Sequence, residues 1–277
     1  MNARLIWQMR VPLLLAILVS SSSAAWGQRI LVADGQTEAY TRIRSVLGAN
    51  PENPDCSHPE FGPHITQVFD EELNKYVFVF NMHVTPDNDR CSAFDRQRLE
   101  IKTDGGSPDY VKGFLNDTVT FRWRFKLPAG FQPSTSFTHI HQIKAFDGDA
   151  GAPIITLTPR KASPNRLELL HINSSGVTTR VAATPLAPFI GRWVEVYERI
   201  TYGFHGQYSI MITGLDDGAW LFGYSNSDLD LWRTDTTMVR PKWGIYRSLN
   251  NPADLRDEQV RFDRFCLAKG TDNCPRE

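Results

Sequence analysis

Phe121-Arg122-Trp123-Arg124-Phe125-Lys126 is the stretch from which the fold class is read. Aromatic and basic residues alternate without a break, and successive side chains of a β-strand point to opposite faces, so one face of this segment is aromatic and the other cationic. That is the pattern of a half-buried strand whose aromatic face lies in a core and whose other face is solvated. Outward from it, the same period of two predicts strands over Lys75–Val84, Thr118–Leu127, Phe137–Ala145, Arg166–Ile172, Trp193–Tyr202, Gln207–Thr213, Trp243–Ser248 and Gln259–Leu267. Asp104-Gly105-Gly106, Ser174-Ser175-Gly176 and Asp217-Gly218 punctuate them as turns. One helix is expected, Thr37–Leu47, followed by a loop from Gly48 to Pro63. Many short half-buried strands in one unit predict an all-β fold: a sandwich of two antiparallel sheets, a jelly roll of the concanavalin-like type. Gln259–Leu267 should be a core strand, with Val260, Phe262 and Phe265 packed against strands from early in the chain.

At the other end of the chain, Arg4 and Arg10 precede the apolar run Val11–Val19, which gives way to Ser20–Ser23, Ala24 and Ala25. This three-part order is that of a signal peptide cut after Ala25 or Gly27. The apolar run is shorter than the ~20 residues that a membrane-spanning helix needs. The expected organisation is a signal peptide over residues 1–27 and a single jelly-roll domain over 28–277, acting as a secreted or periplasmic monomer with no membrane partner after cleavage. The formal net charge is −1, with basic residues spread along the chain, which excludes the electrostatic footprint of a nucleic-acid binder. Four cysteines in an exported chain, with no Cys/His zinc spacing, read as two disulfides. Three connectivities are open. Cys56–Cys91 with Cys266–Cys274 is favoured, because the first bond would tie down the loop-rich stretch and the second would close a short C-terminal loop.

Three segments share one arrangement, in which polar residues two apart flank an apolar one: Arg98-Leu99-Glu100-Ile101-Lys102, Gln142-Ile143-Lys144 and Lys242-Trp243-Gly244-Ile245-Tyr246. On strands, Leu99, Ile101, Ile143, Trp243 and Ile245 would enter the core, and the polar residues would line the opposite surface as a basic cleft. In form and order these segments resemble the motifs of the alginate-lyase-like polysaccharide lyases, with their Arg-x-Glu-Leu-type, Gln-Ile-His and Lys-x-Gly-x-Tyr strands. The last segment is also similar to those of the heparin- and glucuronan-lyase relatives. The resemblance spans Arg98 to Tyr246 and departs from the pattern at Lys144, which stands where the family has histidine.

It implies a jelly-roll lyase that cleaves a uronic-acid polysaccharide by β-elimination. Gln142 and Arg98 would neutralise the C6 carboxylate, and Tyr246 would serve as the acid and is a candidate for the base as well, its phenol tuned by Lys144 or Lys242. Glu100 would orient Arg98 by a charge-assisted pair, and Lys242 and Lys102 would bind substrate. No metal or other cofactor is called for, although Asp147-Gly148-Asp149 is a candidate Ca²⁺ loop that ordinary turn chemistry also explains.

Strand parity sets His139 and His141 on the face opposite Gln142, as structural residues, while His58, His64, His83, His171 and His205 have no partner motif. Two other functions fit the architecture. A glycoside hydrolase would use a carboxylate pair, for which Asp228-Leu229-Asp230 is the candidate. A non-catalytic carbohydrate-binding protein would stack sugars on Trp220 and Trp232.

Overall fold

The computed structural model describes residues 28–270 and 273–277, so the export segment read in residues 1–27 lies outside the described residues. Fourteen strands and one helix follow in the order β1 (Arg29–Leu31), α1 (Ala39–Leu47), β2 (Ile65–Asp70), β3 (Lys75–Met82), β4 (Arg96–Lys102), β5 (Thr118–Lys126), β6 (Thr138–Ala145), β7 (Ile155–Arg160), β8 (Arg166–Ile172), β9 (Thr178–Pro185), β10 (Trp193–Thr201), β11 (Gly206–Gly214), β12 (Trp220–Leu229), β13 (Val239–Ser248) and β14 (Glu258–Lys269). They form two antiparallel sheets. One has the order β12-β11-β10-β5-β14-β3-β2, with β1 also on β14, and the other has the order β4-β13-β6-β7-β8-β9. This is the sandwich that the alternation predicts.

The aromatic face of β5 lies in the core: Phe121, Trp123 and Phe125 are buried, and Trp243 from the facing sheet packs edge-on to Phe121 at 5.6 Å between centroids. β14 lies beside β5 and β3, with Phe262 against Phe80 at 4.8 Å, so the C-terminal strand is a core strand as expected. The basic face of β5 is not solvated as predicted. Arg124 is buried, shared among Glu195, Asp263 and Glu277, while Arg122 donates to the Cys274 carbonyl and to Glu195. The C-terminal segment lies across this face, held by the Cys266–Cys274 bond. Cys56–Cys91 is the second disulfide, which completes the favoured pairing.

Helix α1 begins two residues later than expected. The Glu38 carboxylate caps it by accepting from the Tyr40 and Thr41 amides, and Gly48 ends it in the left-handed conformation.

Candidate active site

The outer face of the β4-β13-β6 sheet carries the polar residues singled out in the sequence. Register pairs Lys102 with Lys242, Glu100 with Gly244 and Arg98 with Tyr246 across β4 and β13, and Lys242 with Gln142 and Arg240 with Lys144 across β13 and β6. Their alternates, Leu99, Ile101, Ile143, Trp243 and Ile245, are fully buried in the core. Gly244 is required here: its φ is +151°, and a Cβ would come within 1.9 Å of the Leu99 carbonyl oxygen.

Beside Gly244 the pairing slips. Three steps along β13, from Trp243 to Tyr246, are matched by two along β6, from His141 to His139. Ile140 therefore joins the core, and His139 emerges opposite Tyr246 with the ring centroids 5.8 Å apart. This corrects the parity reading for His139. The reading holds for His141, which is fully buried, stacked on Trp243 and hydrogen-bonded through Nδ1 to the Lys242 carbonyl and through Nε2 to Glu198.

Tyr246 is partly exposed. Its ring lies on Arg98, whose guanidinium carbon is 3.7 Å from the centroid, and packs against Phe137 at 4.8 Å. Its hydroxyl accepts from Arg96 Nη1 at 3.0 Å. His139 Nδ1 is 2.7 Å from Thr158 Oγ1, and that hydroxyl donates onward to Thr156 Oγ1. Thr158 therefore accepts from Nδ1–H, which leaves the lone pair on Nε2, a nitrogen with no hydrogen-bond partner among the described residues. Burial, reinforced by Arg160, Arg98 and Lys144, pushes the His139 pKa down to about 3, so the imidazole is neutral.

Beneath these groups lies a buried ionic cluster. Arg98 Nη1 donates to Glu100 at 2.7 Å, as expected, and Arg98 Nε donates to Asp89 at 3.0 Å. Gln142 donates to the other oxygen of Glu100. Glu52 enters from the loop before β2, where its backbone forms a two-bond bridge with Glu100. The Glu52 carboxylate accepts from Lys242 and from Arg90, with Lys102 at 3.4 Å. Lys242 is only 2% exposed and lies under the face rather than on it. Burial lowers its pKa despite its two carboxylate partners. Burial acts on Glu52 in the opposite sense, but Lys242, Arg98 and Lys102 outweigh it and hold the carboxyl well below the usual range.

Lys144 does not sit with Tyr246. It lies opposite Arg240, five residues along β6 from His139, and its ammonium donates to the Ala150 and Gly151 carbonyls. Burial, with Lys242, Arg98 and Arg240 nearby, lowers its pKa to about 8. Further along the face, Arg160, Arg166 and Arg180 all pair with the buried Glu168.

The other candidates lie elsewhere. Both Asp147 oxygens are taken by Thr236 and Thr237, as turn chemistry, in place of the proposed Ca²⁺ loop. Asp228 pairs with His205 on the edge of the other sheet, and Asp230 caps the Ser174 amide, so the two form no carboxylate pair in this cleft. Trp232 is a core residue rather than a sugar platform, whereas Trp220 is exposed. A cavity of about 510 Å³ on the other sheet, lined by residues such as Arg199, Gln207 and Ser225, brings no carboxylate or imidazole with it.

Sequence comparison finds no matching protein family and no similar curated protein. Comparison of folds finds polysaccharide lyases. The marine PL-14 alginate lyase of Aplysia kurodai is 9% identical, with a TM-score of 0.57 over 90% of this chain and 100% of its own. The endo-β-1,4-glucuronan lyase of Trichoderma reesei is 14% identical, with a TM-score of 0.52 over 74% of this chain and 86% of its own. The alginate lyase Aly36B, solved with an alginate tetrasaccharide after a lysine and a tyrosine were replaced by alanine, is 10% identical, with a TM-score of 0.55 over 89% of this chain and 98% of its own. The chain thus has the fold of the alginate and glucuronan lyases.

Proposed function

We propose that the chain is an exported polysaccharide lyase that cleaves a uronic-acid polymer by β-elimination. The observation that carries this reading is the juxtaposition of Tyr246, neutral His139 and Arg98 on one sheet face. The lyase fold and the cationic strip from Arg96 to Arg180 support it, since an acidic chain laid along the face would meet Arg96, Arg98, Lys102, Lys144, Arg160, Arg166 and Arg180. Export is supported by the two disulfides, which fit an oxidising compartment.

In the proposed reaction, Arg98 offsets the charge of the C6 carboxylate, which makes the C5 proton acidic, while Gln142, only 1% exposed and donating to Glu100, braces the cluster from beneath rather than meeting substrate as the resemblance implied. His139 Nε2 takes that proton as the C4=C5 bond forms. The C4–O4 bond breaks, and the Tyr246 hydroxyl protonates O4. Afterwards the imidazolium and the phenolate are reset by proton exchange. Burial is the larger cause of the low His139 pKa; approach of the uronate carboxylate counters only the part that comes from Arg160, Arg98 and Lys144.

The test is a screen of alginate, glucuronan, heparin-type and pectin-type polymers for the ultraviolet absorbance of an unsaturated uronate end. Its absence on every polymer, with saturated fragments in its place, would favour a hydrolase; binding without fragments would favour a carbohydrate-binding protein.

Lys144 gives a pH-dependent prediction. An ammonium with a pKa near 8 is charged below that value and loses its charge above it. Affinity for the polyanion should therefore fall as pH rises through about 8, seen as a rising KM with a smaller change in kcat. Lys144→Met should have the higher KM already at pH 7 and lack that alkaline rise. An identical alkaline limb in both proteins would remove Lys144 from substrate binding.

A further inference from the structure

Away from the cleft, His58, His64, His83 and Asp87 bring three imidazoles and one carboxylate together, with their ligand atoms all within 4.8 Å of one another. The three rings meet at centroid distances of 4.8 to 5.5 Å and steep interplanar angles of 54° to 80°, so they converge on a point rather than stack. His58 Nδ1, His64 Nε2 and His83 Nδ1 lie 3.0, 3.2 and 3.1 Å from the oxygens of Asp87, which is buried. We propose that these four residues form a structural site for a divalent transition metal, best matched by zinc.

The donor set points to that class. Imidazole nitrogen with one carboxylate suits zinc and its neighbours, whereas calcium and magnesium take oxygen shells. Four protein ligands would complete a tetrahedral shell at about 2.0 to 2.2 Å, leaving no open position, which is the form of a structural rather than a catalytic centre. The second layer is present as well. His64 is fully buried, and its Nδ1 lies 2.7 Å from Asp55, which Tyr40 also engages through its hydroxyl. Against burial, Asp55 at Nδ1 and Asp87 at Nε2 hold the His64 pKa up, so an ion would bind His64 in exchange for the Nε2 proton, with Asp55 keeping Nδ1–H and fixing the ring. Phe61 packs over all three rings, at 4.3 to 5.4 Å, and shields the centre.

The site would join the loop before β2 to the loop after β3, the same two segments that Cys56–Cys91 links. The second loop continues to Asp89 and Arg90, which hold Arg98 and Glu52. Gln97, at the start of β4, donates to the Asp87 carbonyl at 2.8 Å. A metal here would fix the wall of the cleft without touching substrate.

The experiment uses the full-length exported protein, stripped with a chelator and then titrated with Zn(II) alone. Elemental analysis after desalting should find one ion per chain in the wild type and less than about a tenth of that in a His58→Ala/His83→Ala variant. These two histidines are only partly buried, unlike His64. At a hundredfold excess over its dissociation constant, Zn(II) should raise the wild-type Tm by about 5 °C or more and leave the variant unmoved. Should the variant not fold, Co(II) loaded into the wild type decides, by the visible absorption of a four-coordinate ion. No retained ion, no zinc-dependent Tm shift, or a six-coordinate Co(II) spectrum would overturn the proposal and leave a hydrogen-bonded histidine–carboxylate cluster.

Discussion

Tyr246→Phe is expected to lower turnover by ~10² to 10⁴ while leaving the fold and polymer binding nearly intact. The ring makes the packing contacts, with Arg98 on its face and Phe137 beside it, and phenylalanine retains them. The hydroxyl has one protein partner among the described residues, Arg96, which is itself partly exposed. Losing that bond should cost about 1 kcal/mol or less. A hundredfold loss of rate corresponds to about 2.7 kcal/mol of transition-state stabilisation, so chemistry and stability are separable in this one substitution. The measurement pairs initial rates of unsaturated-uronate formation with a thermal melt. Near-wild-type rates in the variant would exclude Tyr246 as the proton donor to O4, and His139 would then lose its partner in the proposed reaction.

The parts of the site legible in the sequence are those governed by uninterrupted alternation. Arg98, Glu100, Lys102, Lys242 and Tyr246 reach one sheet face because β4, and β13 along β4, keep a strict period of two, and Gln142 joins them from the part of β6 that pairs before the slip. Alternation fixes a side chain's face but not its depth, so it could not separate the buried Lys242 from the accessible Tyr246. His139 was misassigned because the slip beside Gly244 reverses parity over a few residues, and such slips have no one-residue signature. The only sequence hint was the glycine itself. Glu52 comes from a loop and joins the site through backbone pairing, and His58, His64, His83 and Asp87 come together only when two loops fold against each other.

The same logic governs the strands. β5, β6, β8, β10 and β14 declared themselves through buried apolar faces. β9 is exposed along most of its length and lies at a sheet edge, where no core face imposes a pattern, and β7 contains Pro159. The basic face of β5 was legible as a face, but not its cover, because the C-terminal segment reaches it only through the Cys266–Cys274 closure.

Glu52→Gln is expected to destabilise the protein by about 3 kcal/mol, a fall in Tm of roughly 6 to 12 °C for a chain of this size. The amide keeps the shape of the carboxylate and one acceptor but removes the charge that Lys242, Arg90 and Lys102 share. Lys242 cannot reach solvent without moving, and Glu100, 3.5 Å away, is already occupied by Arg98 and Gln142. Since burial already lowers the pKa of Lys242, the stranded ammonium can give up its proton, which limits the penalty to the lower part of the range for a broken buried pair. The dependence on pH follows from the carboxyl. Its pKa is lower in the folded protein than in the unfolded chain, so its contribution is complete above the unfolded value of about 4.3 and is lost as pH falls from there toward the folded value. The stability gap between wild type and Glu52→Gln should therefore be widest near neutrality and narrow steadily below about pH 4, where a protonated glutamate and a glutamine carry the same charge. Urea unfolding of both proteins at several pH values measures this gap directly. A gap under about 0.5 kcal/mol at pH 7, or one that stays constant on acidification, would mean that Lys242 is not held by Glu52, and that the cations of the cleft are positioned by Glu100 and Asp89 alone.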